Sequence, residues 1–238
     1  MAITTVLFDL DGTLLPMDQN QFMKAYFGGL AARLAPHGYE PKALIDAIWA
    51  GTVAMAKNDG TRRNEEVFWD QFASTFGESA REDLPHFDAY YREDFDNAAP
   101  SCGFAPEARA IVDWLRARGI CTVLATNPFF PAIATEKRAR WAGLEPRDFA
   151  LVTTYENSTY CKPNPNYYRE IAAFLGVAPQ ECLMVGNDVE EDMVAATLGM
   201  RVFLLTDCLI NRNNTDVTQY PHGSFAELKA FLEELLAK

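Results

Sequence analysis

Two aspartates, Asp9 and Asp11, close an apolar run that reads TTVLFDLDGTLL from Thr4 to Leu15. Val6, Leu7 and Phe8 fit a short strand buried on both faces. Residues two apart on an extended strand point the same way, so the two carboxyls face one region, where like charges disfavour each other's ionised forms. A cation between them would account for the pairing, and so would a reaction that needs one ionised and one protonated carboxyl. Further along, Thr126 ends another apolar run in LATNP, Lys162 sits in the loop TYCKPNP, and Asp188, Glu190, Glu191 and Asp192 cluster in MVGNDVEEDM. Phosphoryl transfer needs a nucleophile, an acid/base, ligands for a divalent cation and donors for the phosphoryl oxygens. These residue types supply all four.

The elements around them must bring the groups to one place. From Pro106 the sequence alternates. A helix runs towards Gly119, followed by the strand ICTVLAT, a helix over 131–142, the strand FALVTT, a helix over 165–175, the strand CLMVG, a helix over 189–198 and the strand RVFLL. SFAELKAFLEELLA closes the pattern as a helix, with Ser224 and Glu227 spaced as a capping box. Strands alternating with helices indicate an α/β, Rossmann-like parallel sheet with helices on both faces. Ligands of such sheets gather beyond the carboxyl ends of the strands, where Asp9, Thr126 and Asp188 fall. The stretch after the first strand reads differently. Phe22, Tyr26, Leu30 and Leu34 recur at helical spacing, Pro41 opens a second helix, and KNDGTRR (57–63) breaks the pattern. Asn64 caps a third helix, and Phe87, Tyr90, Tyr91 and Phe95 mark a fourth. The expected organisation is a core of residues 1–15 and 101–238 with a small all-helical cap domain over 16–100, whose aromatic residues form its own core.

The chain has 238 residues, 49% hydrophobic and 23% charged, with a formal charge of −12. That length suits one or two domains. The acidic balance argues against nucleic acid as a partner but leaves room for a small anion held by a metal and a few local cations. Five scattered cysteines without CxxC spacing read as reduced, mostly buried thiols. His37, His86 and His222 read as structural. No apolar run approaches the ~20 residues of a membrane span, and the start of the chain lacks a signal-type segment. The expectation is a cytoplasmic monomer or homodimer, with no membrane partner. A calcium-loop reading of DLDGT fails, because Gly12 falls two positions too early and Asn20 stands where a bidentate Glu belongs.

DLDGT, Thr126, Lys162 and GNDVEED resemble, in that order, the four motifs of the haloacid dehalogenase superfamily, and the likeness spans nearly the whole chain. The resemblance implies a Mg²⁺-dependent phosphatase acting on a small phosphorylated metabolite through an aspartyl phosphate. Asp9 would be the nucleophile, and Asp11 the acid that protonates the leaving oxygen and then deprotonates water. Asp9, the backbone carbonyl of Asp11 and Asp188 would hold Mg²⁺, with Asp192 directly or one shell out. Thr126 and Lys162, with backbone N–H groups near Leu10 and Asn127, would bind the phosphoryl oxygens. Dehalogenases of the family lack the second Asp, so Asp11 favours phosphate esters. One departure is Asn187, which separates Gly186 from Asp188 where the motif usually reads Gly-Asp. The resemblance also admits a phosphomutase similar to β-phosphoglucomutase, and a binding or regulatory module without catalysis stands as a third reading. KNDGTRR resembles the specificity loop of helical caps, with Arg62 and Arg63 as its candidate residues.

Overall fold

The computed structural model describes residues 2–237. Its sheet consists of β1 (Thr5–Phe8), β2 (Cys121–Leu124), β3 (Leu151–Val152), β4 (Cys182–Gly186), β5 (Arg201–Leu205) and β6 (His222–Gly223). All neighbours run parallel, in the order β3-β2-β1-β4-β5-β6. The central β1 is buried along its length, as expected of a strand covered on both sides. Alternate residues serve opposite faces. Val6, Phe8, Leu183, Val185, Phe203 and Leu205 join one apolar cluster, together with helices α5 (Pro106–Arg116) and α8 (Phe225–Leu236). Leu7, Val123, Met184, Val202 and Leu204 join the other, with helix α7 (Pro165–Leu175). This is the doubly covered parallel α/β sheet expected from the sequence.

Local chemistry alters two elements. The stretch expected as a helix over 189–198 begins as a turn and ends as a six-residue 3₁₀ helix, Met193–Leu198. Asp188 Oδ1 accepts from the N–H groups of Glu190 (2.9 Å) and Glu191 (3.0 Å), and such side-chain capture competes with an α-helical start. Likewise, the short helix α4 (Leu84–Ala89) runs on into a π turn over Tyr90–Asp94 and a 3₁₀ segment over Phe95–Ser101. β6, too short to stand out by periodicity, adds a sixth strand.

Between β1 and β2 the chain is helical. It leaves the sheet at Pro16 and returns at Gly103, whose N–H donates to the Pro16 carbonyl at 2.7 Å, while Met17 pairs with Cys102. Helices α1 (Gln19–Leu34), α2 (Pro41–Ala56) and α3 (Asn64–Phe76) gather with α4 around a third buried cluster that includes Phe22, Leu44, Phe72, Tyr90 and Phe95. Ala134, Tyr155 and Cys161 enter this cluster from the sheet side. Among the described residues, no helix is long and apolar enough to cross a membrane.

Candidate active site

Strand order reverses between β1 and β4, and side chains just past those strands meet at the switch point where open α/β sheets bind ligands. Phe8 pairs with Val185, and the Asp9 N–H donates to the Val185 carbonyl at 2.9 Å. Asp9 therefore emerges one residue beyond β1, buried to 7% exposure. Thr13 Oγ1 sits between Asp9 Oδ2 (3.2 Å) and Asn187 Oδ1 (3.0 Å), tying the two strand ends together. Gly12 makes the intervening turn at φ +87°, where a Cβ would lie 2.4 Å from Asn187 Nδ2. A side chain there is excluded both by the backbone angle and by the asparagine, which gives the inserted Asn187 a structural role.

Lys162 lies 2% exposed, with its Nζ 2.8 Å from Asp9 Oδ1 and 2.7 Å from Asp192 Oδ1. Burial opposes the charge of this ammonium, but Asp192 and Asp9 outweigh it and hold the lysine well above its usual pKa. Burial also pushes Asp192 up to about 6, against the pull of Lys162 and with a push from Asp9. The other Asp192 oxygen accepts from the Asp188 N–H at 3.0 Å. Both oxygens of Asp192 are therefore engaged in holding Lys162 and the turn. Asp188, besides its two backbone donors, accepts from Arg212 at 2.6 Å. The two aspartates thus differ in their partners: Asp192 pairs with the buried lysine, and Asp188 with the half-exposed Arg212.

The partner of Asp11 is a basic residue outside the four motifs. Arg138, with no solvent exposure, donates to Asp11 Oδ2 from helix α6 (Ala132–Trp141). Its guanidinium also lies over the Phe130 ring at 4.2 Å from the centroid, a favourable cation–π placement. Burial raises the pKa of Asp11; Arg138 pulls it back, and Asp9 adds to the rise. Asp11 Oδ1 is buried without a hydrogen-bond partner. The readable sign was the position of Arg138 on the inner face of α6, one helical turn from the buried Ala134 and Ala142.

Asp9, Asp11, Thr126, Asn127, Asp188 and Asp192 line one cavity of about 290 Å³. Lys162 stands behind Asp9 and Asp192. Asn127 braces the lysine loop: its Oδ1 accepts from the Lys162 N–H at 3.2 Å, and its Nδ2 donates to Glu191 Oε2 at 2.9 Å. Burial raises Glu191 to about 7, against Lys162 and with Asp188 and Asp192 adding to the rise. The Thr126 carbonyl accepts from Thr153 (2.7 Å) and Tyr167 (2.9 Å), which fixes the strand end carrying its side chain. Leu10 is wholly buried in the turn, where its carbonyl accepts from Thr13 and Leu15.

Arg62 and Arg63 are not brought to the cavity. Arg62 pairs with Asp70 at 2.5 Å, and Arg63 donates to the Asn157 carbonyl at 2.7 Å. Their loop instead docks on the segment leading to Lys162. The Asn64 and Glu65 N–H groups donate to the Ser158 and Tyr155 carbonyls, both at 2.9 Å, and a Cβ on Gly60 (φ +87°) would fall 2.1 Å from the Tyr160 ring.

Among the described residues, no group of three Asp, Glu, His or Cys side chains is placed to hold a metal ion. The reason is visible: Asp192 is turned to Lys162 and the Asp11 carboxyl to Arg138. Asp9 accepts from Lys162 and Thr13, and Asp188 from Arg212 and two backbone N–H groups, so a cation bound by these two carboxylates and the Asp11 carbonyl would share or displace those partners. Such a set fits a cation that binds through one or two carboxylates and retains several waters.

A family model described as haloacid dehalogenase-like hydrolase matches residues 3–198. The chain belongs to this family. Its haloacid dehalogenase-like sequence is 33% identical over 161 residues to the phosphoserine phosphatase of Thermus thermophilus, a match covering 65% of this chain and 60% of that protein. The chain thus aligns with less than two thirds of its curated relative. The fold of this family member is similar to that of the 2-haloacid dehalogenase from Pseudomonas syringae pv. Tomato DC3000 (TM-score 0.64, 19% identity, 98% and 99% of the two chains covered). It is also similar to a HAD phosphatase from Thermococcus onnurineus (TM-score 0.58, 19% identity, 97% and 98% covered).

Proposed function

We propose that this chain is a Mg²⁺-dependent phosphatase that hydrolyses a small phosphate monoester through a phosphoryl group carried on Asp9. The observation that carries this reading is the contrast between two neighbouring carboxyls. Asp9 is bound by a buried ammonium, whereas burial raises the pKa of Asp11 and leaves one of its oxygens without a partner. Paired carboxyls with different surroundings divide nucleophilic and acid/base work.

In the first step an Asp9 oxygen attacks phosphorus, the bond to the alcohol oxygen breaks, and Asp11 gives that oxygen its proton. In the second, water attacks phosphorus, Asp11 takes the water's proton, and Asp9 leaves as a carboxylate. Lys162 holds Asp9 in place and spreads the charge of the transferring group, while Thr126 lines the same cavity as an oxygen donor. A Mg²⁺ held by Asp9, Asp188 and the Asp11 carbonyl would neutralise phosphoryl charge when bound. The helical insertion, acting as a cap over the core, would exclude water from the acyl phosphate.

Inorganic phosphate release from a panel of phosphate monoesters, with Mg²⁺ and with EDTA, tests this reading. Steady, metal-dependent release supports it. Isomerisation without net release points to a phosphomutase, and inactivity across the panel points to a binding module.

A further inference from the structure

The insertion side of the cavity has a chemistry that the phosphoryl-transfer groups do not explain. Phe22, Tyr26, Trp49, Phe68, Phe87 and Tyr91 line it, together with aliphatic side chains such as Leu30 and Ile48. Phe22 and Tyr26 (6.2 Å, 11°) and Tyr26 and Tyr91 (6.4 Å, 19°) lie nearly parallel, while Tyr26 meets Phe130, from outside the insertion, edge-on at 5.2 Å and 68°. Polar groups are few. The Tyr26 and Tyr91 hydroxyls bond each other at 2.9 Å. The buried Trp69 Nε1–H, on another lining residue, is directed at the Tyr155 hydroxyl.

Charge is equally informative. Arg212 is the one cation among the described lining residues, and it is already paired with Asp188 at the phosphoryl end. The insertion side contributes a single charge, Asp88, which is negative and lies 3.5 Å from Arg92. A substrate carrying a carboxylate would bury it among rings and a few neutral polar groups, with no unpaired cation among the described lining residues, at a high desolvation cost. At about 290 Å³ the cavity lies near the lower end of the range for small-ligand sites, which favours one ring-sized body over a chain or a macromolecule.

We infer that the alcohol released by this enzyme is neutral and carries an aromatic ring, so that the substrate is the phosphate monoester of an aryl-bearing alcohol rather than of a hydroxy or amino acid. The inference rests on the phosphatase reading above. The ring contributes apolar burial and edge-to-face contacts, and the phosphoryl group reaches Asp9.

The test compares kcat/KM for 2-phenylethyl phosphate, ethyl phosphate, O-phosphoserine and phosphocholine, with p-nitrophenyl phosphate as a reference for phosphatase competence. The first two share an alkoxide leaving group and differ by the ring. A preference of roughly ten-fold or more for 2-phenylethyl phosphate over the other three is expected. Equal use of ethyl phosphate or phosphoserine, with phosphate still released, overturns the inference alone. A preference for phosphocholine overturns it in favour of a cation held by the aromatic rings. No release from any ester, p-nitrophenyl phosphate included, removes the phosphatase reading and the inference together. Trp49, 47% exposed at the rim, gives a variant that spares the core. Trp49→Ala is expected to lower kcat/KM for 2-phenylethyl phosphate about five-fold more than for ethyl phosphate, and an equal loss on both overturns the inference.

Discussion

Arg138, wholly buried in α6, donates its guanidinium to the carboxyl of Asp11, two residues beyond the proposed nucleophile. A buried pair of this kind contributes little net stability when intact, but removing one partner strands the other. Asp11→Asn is therefore expected to cost about 3–5 kcal/mol of stability in addition to its effect on turnover. Combining it with Arg138→Met should recover part of that loss. Urea unfolding of the two single variants and the double variant checks this. Strictly additive losses would show that the two side chains do not depend on each other.

Lys162 separates Asp9 from Asp192. Lys162→Met leaves two buried carboxylates facing each other with no cation between them. The variant is expected to lose activity by several orders of magnitude and to be less stable at neutral pH. Its stability should recover as the pH is lowered and the carboxyls protonate. A melting temperature that is independent of pH in this variant would contradict the shared-cation arrangement.

Glu191 and Asp192 give the metal-free protein a pH dependence of definite sign. Burial raises Glu191 from 4.5 to about 7 and Asp192 from 3.8 to about 6. The folded chain therefore holds these protons to higher pH than the unfolded chain does. Their contribution to stability is complete below the ordinary carboxyl pKa values and is lost as pH rises through 6 to 7. In EDTA the melting temperature should fall between about pH 5 and about pH 8, and Glu191→Gln should flatten that fall. Thermal melts across this range decide it.

Mg²⁺ is expected to raise the melting temperature by binding the native state preferentially. Arg212 competes for Asp188 Oδ2 at 2.6 Å, so Arg212→Ala should enlarge the Mg²⁺-induced shift, and Asp188→Asn should abolish it. Titration calorimetry or thermal shift with the metal alone reads this without recourse to turnover.

Arg62 and Arg63 lie in partly exposed pairings away from the cavity. Replacing both by Ala should leave the ranking of ester substrates unchanged and cost less than about 1 kcal/mol of stability. A changed ranking would return specificity to this loop.

The sheet was legible because buried parallel strands read as unbroken apolar runs, and chemistry at their ends is marked by polar residues that the runs do not need. Asp9, Thr126 and Asp188 stand out for that reason. Lys162, in a loop, was located by motif order alone. Arg138 was hidden because a basic residue in a helix ordinarily reads as surface, and only its register with Ala134 and Ala142 sets it apart. The 3₁₀ turn after Asp188 was missed because side-chain capture of backbone donors outweighs helical periodicity over so short a stretch. The insertion's aromatic residues were expected to form its own core. They join a buried cluster that residues from the sheet side also enter, and several of the same rings wall the cavity; sequence spacing does not show which edge of a packed ring is left bare.

The central claim is that Asp9 carries the phosphoryl group. The most direct measurement is acid quenching of the enzyme during turnover of a phosphate monoester with Mg²⁺, followed by peptide mass mapping. One phosphoryl group is expected on the fragment containing Asp9 in the wild type and none in a folded Asp9→Asn variant, which should also have lost turnover by several orders of magnitude. Phosphate release with no phosphoryl group on that fragment, or an Asp9→Asn variant that keeps a tenth of wild-type turnover, would contradict it.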